Sequence, residues 1–260
     1  MSSHSFNTIY AMWYRQIIRF SRNKSRVIGT IVQPLLWIFF FGIGFSRMLS
    51  SGNAPTNLPG GVDYLTFLIP GIVMMTIFTA SFMSGISIIW DRELGYLKEV
   101  LVAPASRKAT IFGRTLGDAT IAVLQGIVIL LLVFPLTPAI NLVNLPFTLL
   151  YGFLMSISFA GIGIIIATKM RSMEGFQLIM NLIMMPLLFL SGVFYPPEVL
   201  PEWMQYVVFL NPLTYATDAS RNLLLGFGSL PLWVDTIVLL VIASVFLVVA
   251  AIMFEKTSEG

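Results

Sequence analysis

Five long runs without a single Asp, Glu, Lys or Arg constrain this chain more than any other feature: residues 27–46, 64–90, 119–168, 175–197 and 236–254. An α-helix rises about 1.5 Å per residue, so about 20 apolar residues cross the hydrocarbon core of a bilayer. Four runs have roughly that length. The 50-residue run is too long for one crossing, and Pro135, Pro138, Asn141, Asn144 and Pro146 punctuate it. Those residues read as a hairpin between two crossings. Six spans result, near 27–49, 64–90, 110–134, 147–168, 176–195 and 232–254. Continuous apolar runs are not the alternation that lipid-facing strands need, so a β-barrel is excluded. The predicted fold class is an all-α integral membrane protein with six transmembrane helices.

The basic residues orient it. Of 15 Lys and Arg, 13 fall before span one (Arg15, Arg19, Arg22, Lys24, Arg26), around the loop between spans two and three (Arg92, Lys98, Arg107, Lys108, Arg114), after span four (Lys169, Arg171) and in the tail (Lys256). The other side receives Arg47 and Arg221. The positive-inside rule therefore predicts that both termini are cytoplasmic. The net charge of +3 is thus a topology signal and carries no implication of nucleic acid. With no cysteine and one histidine (His4), thiolate metal sites and disulfides are excluded and no metal site is expected. The 26 mostly polar or basic residues before span one do not read as a cleavable signal.

Three segments outside the spans are informative. Residues 1–26 read as a cytoplasmic interfacial helix. Arg15, Arg19, Arg22 and Arg26 make a basic stripe facing anionic lipid, and Ile9, Trp13, Ile17 and Phe20 make an apolar one. The remainder, 27–260, is the six-span domain. Within it, the cytoplasmic loop 91–109 puts Leu94, Leu97 and Leu101 on one helical face before Pro104 ends the helix. Such a face must be buried on lipid or on a protein, and periodicity allows both. The external segment 196–226 is too apolar for a solvated loop and too broken by proline to cross, so half-helices dipping into the outer leaflet are expected. Asp218 and Arg221 can pair there at a spacing of three.

No phosphate-binding loop, nucleophile elbow or metal-ligand spacing occurs, so the chain is not read as an enzyme. Asp118, four residues after Arg114, lies within a span and reads as half of a structural ion pair. Spans two and five are rich in Phe and Met, which suit adaptable apolar surfaces and equally suit ordinary packing.

Arg92–Arg107, with Glu93-Leu94-Gly95-Tyr96-Leu97 and Val102-Ala103-Pro104, Leu190-Ser191-Gly192-Val193-Phe194-Tyr195-Pro196-Pro197 and Leu210-Asn211-Pro212-Leu213-Thr214-Tyr215 resemble the type-2 permease subunits of ATP-binding-cassette (ABC) transporters. Gln33-Pro34 and Leu68-Ile69-Pro70-Gly71-Ile72 suit the same family, in its drug- and antibiotic-export branch. The resemblance implies a permease of a prokaryotic inner membrane that works as a homodimer on a separate cytoplasmic ABC ATPase, amid membrane lipids and without nucleic acid. ATP and Mg would be bound by that partner, with no cofactor in this chain. It implies ATPase docking by Glu93, Leu94, Leu97, Lys98, Glu99 and Leu101, and a translocation cavity lined by Phe78, Phe82, Asn181, Met184 and Leu188. Multidrug or lipid efflux is the expected activity. Export of lipid-linked polysaccharide, and an assembly or regulatory component without a pathway, are the alternatives.

Overall fold

The computed structural model describes residues 3–45, 58–93, 107–170 and 172–257. These form helices and no strand: α1 (Ser3–Arg22), α2 (Lys24–Trp37), α3 (Tyr64–Phe82), α4 (Ile86–Glu93), α5 (Arg107–Val133), α6 (Leu145–Lys169), α7 (Met173–Phe189), α8 (Glu202–Val208), α9 (Pro212–Leu225) and α10 (Leu232–Thr257). Five stretches are long and apolar enough to cross a membrane: Val27–Gly44, Tyr64–Glu93, Lys108–Leu136, Leu142–Lys169 and Leu232–Phe254. The apolar α7 adds a shorter sixth. The protein is an all-α, multi-pass membrane protein.

The 50-residue run breaks where its prolines and asparagines predict, at short turns over Phe134–Leu136 and Leu142–Asn144. Asn141 accepts from Val143 N at 3.0 Å, and Asn144 Nδ2 donates to Leu223 O at 2.8 Å, tying the hairpin to α9. Span five is shorter than its apolar run: α7 stops at Phe189, and Leu190 leaves helical geometry at φ −96°, ψ 52°. Its end is set from outside, because Asn211 Nδ2 donates to the carbonyls of Leu187 (2.6 Å) and Leu190 (2.8 Å). Those carbonyls have no partner within the helix.

At the centre lies α3, whose residues 66–78 are all buried. It is apolar on every side, as a buried membrane helix should be. Its hydroxyls satisfy themselves on their own helix, Thr76 on Ile72 O at 2.8 Å and Ser81 on Ile77 O at 2.7 Å. Around it pack α5, α6 and α9. Outside α6 runs α10, with Trp233, Ile237, Val241, Val245 and Val248 exposed. In α2, Pro34 withdraws one donor from the ladder, and the helix widens into π-type turns over Ile38–Phe45.

In place of a stripe turned wholly to lipid, α1 packs along the start of α5. The approach is backbone to backbone: a Cβ added to Gly113 would meet Ile9 O at 2.5 Å, and one on Gly117 would meet Gln16 Cβ at 2.8 Å. Small residues four apart are a recurrent way to bring membrane helices this close. Trp13 Nε1 completes the contact by donating to Thr120 Oγ1 at 3.1 Å.

Candidate functional site

Three arginines converge on one carboxylate where α4 ends. Asp91 Oδ1 accepts from Arg15 Nη2 at 2.8 Å and from Arg19 Nη1 at 3.2 Å, while Oδ2 lies 2.9 Å from Arg114 Nη2. Arg114 Nη2 also donates to Ser87 Oγ at 2.6 Å. The Asp91 and Arg114 side chains are 3% and 2% exposed, and those of Arg15 and Arg19 about a quarter exposed. A buried charge persists only when paired, so this junction needs all its members. The Arg19 guanidinium also sits 5.1 Å from the centre of the Trp90 ring, whose Nε1 donates to Met173 Sδ. Arg92 Nη1 donates to Met170 O at 2.8 Å. Residues 90–92 thereby fasten α4 to α1, α5 and the α6–α7 turn. One residue later this described segment ends, at the exposed Glu93. Leu94, Leu97, Lys98, Glu99 and Leu101 lie outside the described residues.

Helical spacing paired Arg114 with Asp118. Asp118 does act on the Arg114 charge, but Arg114 also has the Asp91 ion pair, which comes from another helix. Asp91 and the Gly113–Gly117 pair are what reading the sequence missed. The signal was available: an acid immediately at the foot of span two, and 26 leading residues with four arginines and no acid.

The opposite end is built by the two later motifs. Asn211 caps α9, accepting from Leu213 N at 3.0 Å. Asp218 and Arg221 turn to different partners. Asp218 accepts from Ser229 N (2.7 Å) and Leu230 N (2.9 Å), closing the turn that follows Gly226, whose φ of 81° caps α9. Arg221 donates to Gly192 O (2.7 Å), Val193 O (2.8 Å) and Phe67 O (3.3 Å), with its guanidinium 3.7 Å above the Phe67 ring. Burial pushes this guanidinium down to about 9, while Asp218, Glu198 and Tyr64 act to raise it, so it stays charged at neutral pH. One cation thus satisfies carbonyls of two segments and clamps the turn after α7 onto α3. Gly71 permits the closeness, since a Cβ there would meet Val193 O at 2.8 Å.

The five residues expected to line a cavity separate. Phe78 and Phe82 have no exposed surface and stand edge-on to Phe159, with centroids 4.5 and 5.6 Å away, so here they are core. Leu188 is also buried, and Met184 is half-buried. Asn181 is exposed, and Gln177, one turn earlier, shares its face. Leu178, Leu182 and Met185 are exposed on the same helix, where Phe176, Met180 and Leu188 alone are buried. Gln33, on α2, is an exposed amide within another membrane-crossing stretch. On α10, by contrast, the exposed positions from Leu240 to Ile252 hold neither amide nor charge. Hydrocarbon offers an amide no partner, so the face of α7 differs in kind from the face of α10.

A family model described as "ABC-2 type transporter" matches residues 7–225. The ycf38 protein of Pyropia yezoensis is 31% identical over 234 residues, covering 85% of this chain and 75% of its own. The daunorubicin resistance ABC transporter permease protein DrrB1 of Streptomyces coeruleorubidus is 28% identical over 225 residues, covering 84% of this chain and 75% of its own. The inner membrane transport permease YadH of Escherichia coli K12 is 25% identical over 254 residues, with coverages of 95% and 94%.

Proposed function

The chain belongs to the ABC-2 type transporter family, and from that premise we propose that it is the permease subunit of an ATP-driven exporter, paired with a second copy and driven by a separate ATPase. The observation that carries this reading is the exposed amide pair Gln177 and Asn181 on α7. Two polar side chains at membrane depth call for a protein or water surface, and a second copy apposed at α7 supplies both. The pathway then runs between the two α7 helices, with Gln33 at its edge. Phe78 and Phe82 stiffen the wall behind it.

The basic end faces the cytoplasm in this reading, where the junction at Asp91 gives loop 94–106 a rigid base. Docking of the ATPase on Leu94, Leu97 and Leu101 would move that base, and with it α1, α4 and α5 together. An apolar, Met-containing face suits lipophilic cargo, and the daunorubicin-resistance relative makes a planar amphiphilic drug the first substrate to try. Co-expression with a candidate ATPase tests the docking half. Leu97→Asp and Leu101→Asp should abolish copurification, and unchanged copurification would remove the docking assignment. Co-reconstituted vesicles test transport: ATP-dependent movement of daunorubicin supports it, and ATP hydrolysis with no movement of daunorubicin or of labelled lipid contradicts it.

A further inference from the structure

Three buried polar atoms find no hydrogen-bond partner among the described residues: Gln16 Nε2 on α1, Ser84 Oγ in the Met83–Gly85 turn between α3 and α4, and Gln125 Oε1 on α5. None of the three residues is more than 6% exposed. All three line one small cavity of about 20 Å³, together with Arg19, Ser87 and Asp118. Gln125 and Ala80 also line a larger notch of about 140 Å³ between α2, α3 and α5. Thr30, Gln33, Thr76 and Thr79 complete the polar lining of that notch. The three threonine hydroxyls donate to carbonyls of their own helices, at 2.8, 2.8 and 2.9 Å, which leaves their oxygens able to accept.

We propose that the two cavities form a bound-water site: one water in the inner cavity, bridging Gln16, Ser84 and Gln125, and several more in the adjoining notch. Size, charge and hydrogen bonding decide the occupant. A void holds a water from about 10–15 Å³ upward when two to four polar groups surround it. The inner cavity is of that size, and no organic headgroup fits it. Arg19 on its wall, with Arg114 donating to Ser87, disfavours a cation, and the Asp118 carboxylate disfavours an anion. An acyl chain in the notch would leave the buried Gln125 oxygen unmet. In a space this small, water supplies both a donor for Gln125 and an acceptor for Gln16. The inner water would tie α1 and α5 to the turn before α4, adding to the Trp13–Thr120 bond. The inference depends on the packing of one subunit and stands apart from the transport reading.

Pulsed X-ray irradiation of the full chain in lipid nanodiscs tests it, because hydroxyl radicals made from bound water oxidise the side chain beside it. Met75 lines the notch, whereas Met74 and Met155 are as deeply buried and line neither cavity. Mass spectrometry of wild type should find oxygen added to Met75 and none added to Met74 or Met155. Ile121 lines the inner cavity and Ile129, further along α5, does not. The methionine of Ile121→Met should therefore be oxidised and that of Ile129→Met should not. Adding Gln125→Leu to Ile121→Met should abolish the label by removing the oxygen that holds the water. Oxidation of Met75 no greater than that of Met74 and Met155 would overturn the hydrated notch. Equal labelling of Ile121→Met and Ile129→Met, or a label that survives Gln125→Leu, would overturn the inner site.

Discussion

At the scale of single residues, Asp91 matters most. It answers three arginines, one of them as buried as itself. Removing one member of a buried pair costs about 3–5 kcal/mol, because the surviving charge is stranded. Two of the partners are a quarter exposed and water reaches them, so Asp91→Asn is expected at the lower end, about 3 kcal/mol. A thermal-shift assay in detergent should show the loss, and an unchanged midpoint would mean that the junction is solvated. The double variant Asp91→Leu with Arg114→Met should recover most of the stability, since apolar replacement of a buried pair is often neutral. It should not recover coupled ATP hydrolysis if fastening of residues 90–92 is what transmits movement. Arg221 is the counterpart at the other end. Arg221→Lys keeps the charge but cannot serve three carbonyls from one planar fork, and is predicted to lower the midpoint as well.

At the scale of elements, α1 is held by shape as much as by charge. Gly113→Val would drive a side chain into Ile9 O, a backbone atom that cannot swing aside. Limited proteolysis should then cut within α1, and continued protection would show that the α1–α5 contact yields. Gly29 is the control: nothing lies within 4 Å of an added Cβ, so Gly29→Ala should raise stability by about 0.5–1 kcal/mol through helix propensity. The spans themselves were legible in the sequence because charge-free runs and prolines are local signals, and so was the hairpin at 134–144. What was not legible depends on distant partners. The end of α7 at Phe189 is decided by Asn211, more than twenty residues on. Helical spacing offered Asp118 to Arg114 and could not show Asp91 arriving from another helix. Phe78 and Phe82 sit on a helix apolar all round, where periodicity cannot tell a core face from a pathway face.

At the scale of the molecule, the faces of α7 and α10 divide the surface into two kinds. One holds neither amide nor charge and suits lipid; the other carries Gln177 and Asn181 among Leu178, Leu182 and Met185. The proposed function turns on that difference, since a pathway between two copies requires α7 to meet its own counterpart. The chain contains no cysteine, which makes the direct measurement clean. Asn181→Cys and Val241→Cys would be introduced singly and oxidised in native membranes, and the products separated without reductant. The account predicts a covalent dimer for Asn181→Cys and a monomer for Val241→Cys. A monomer at Asn181, or dimers only at Val241, would contradict a pathway lined by paired α7 helices.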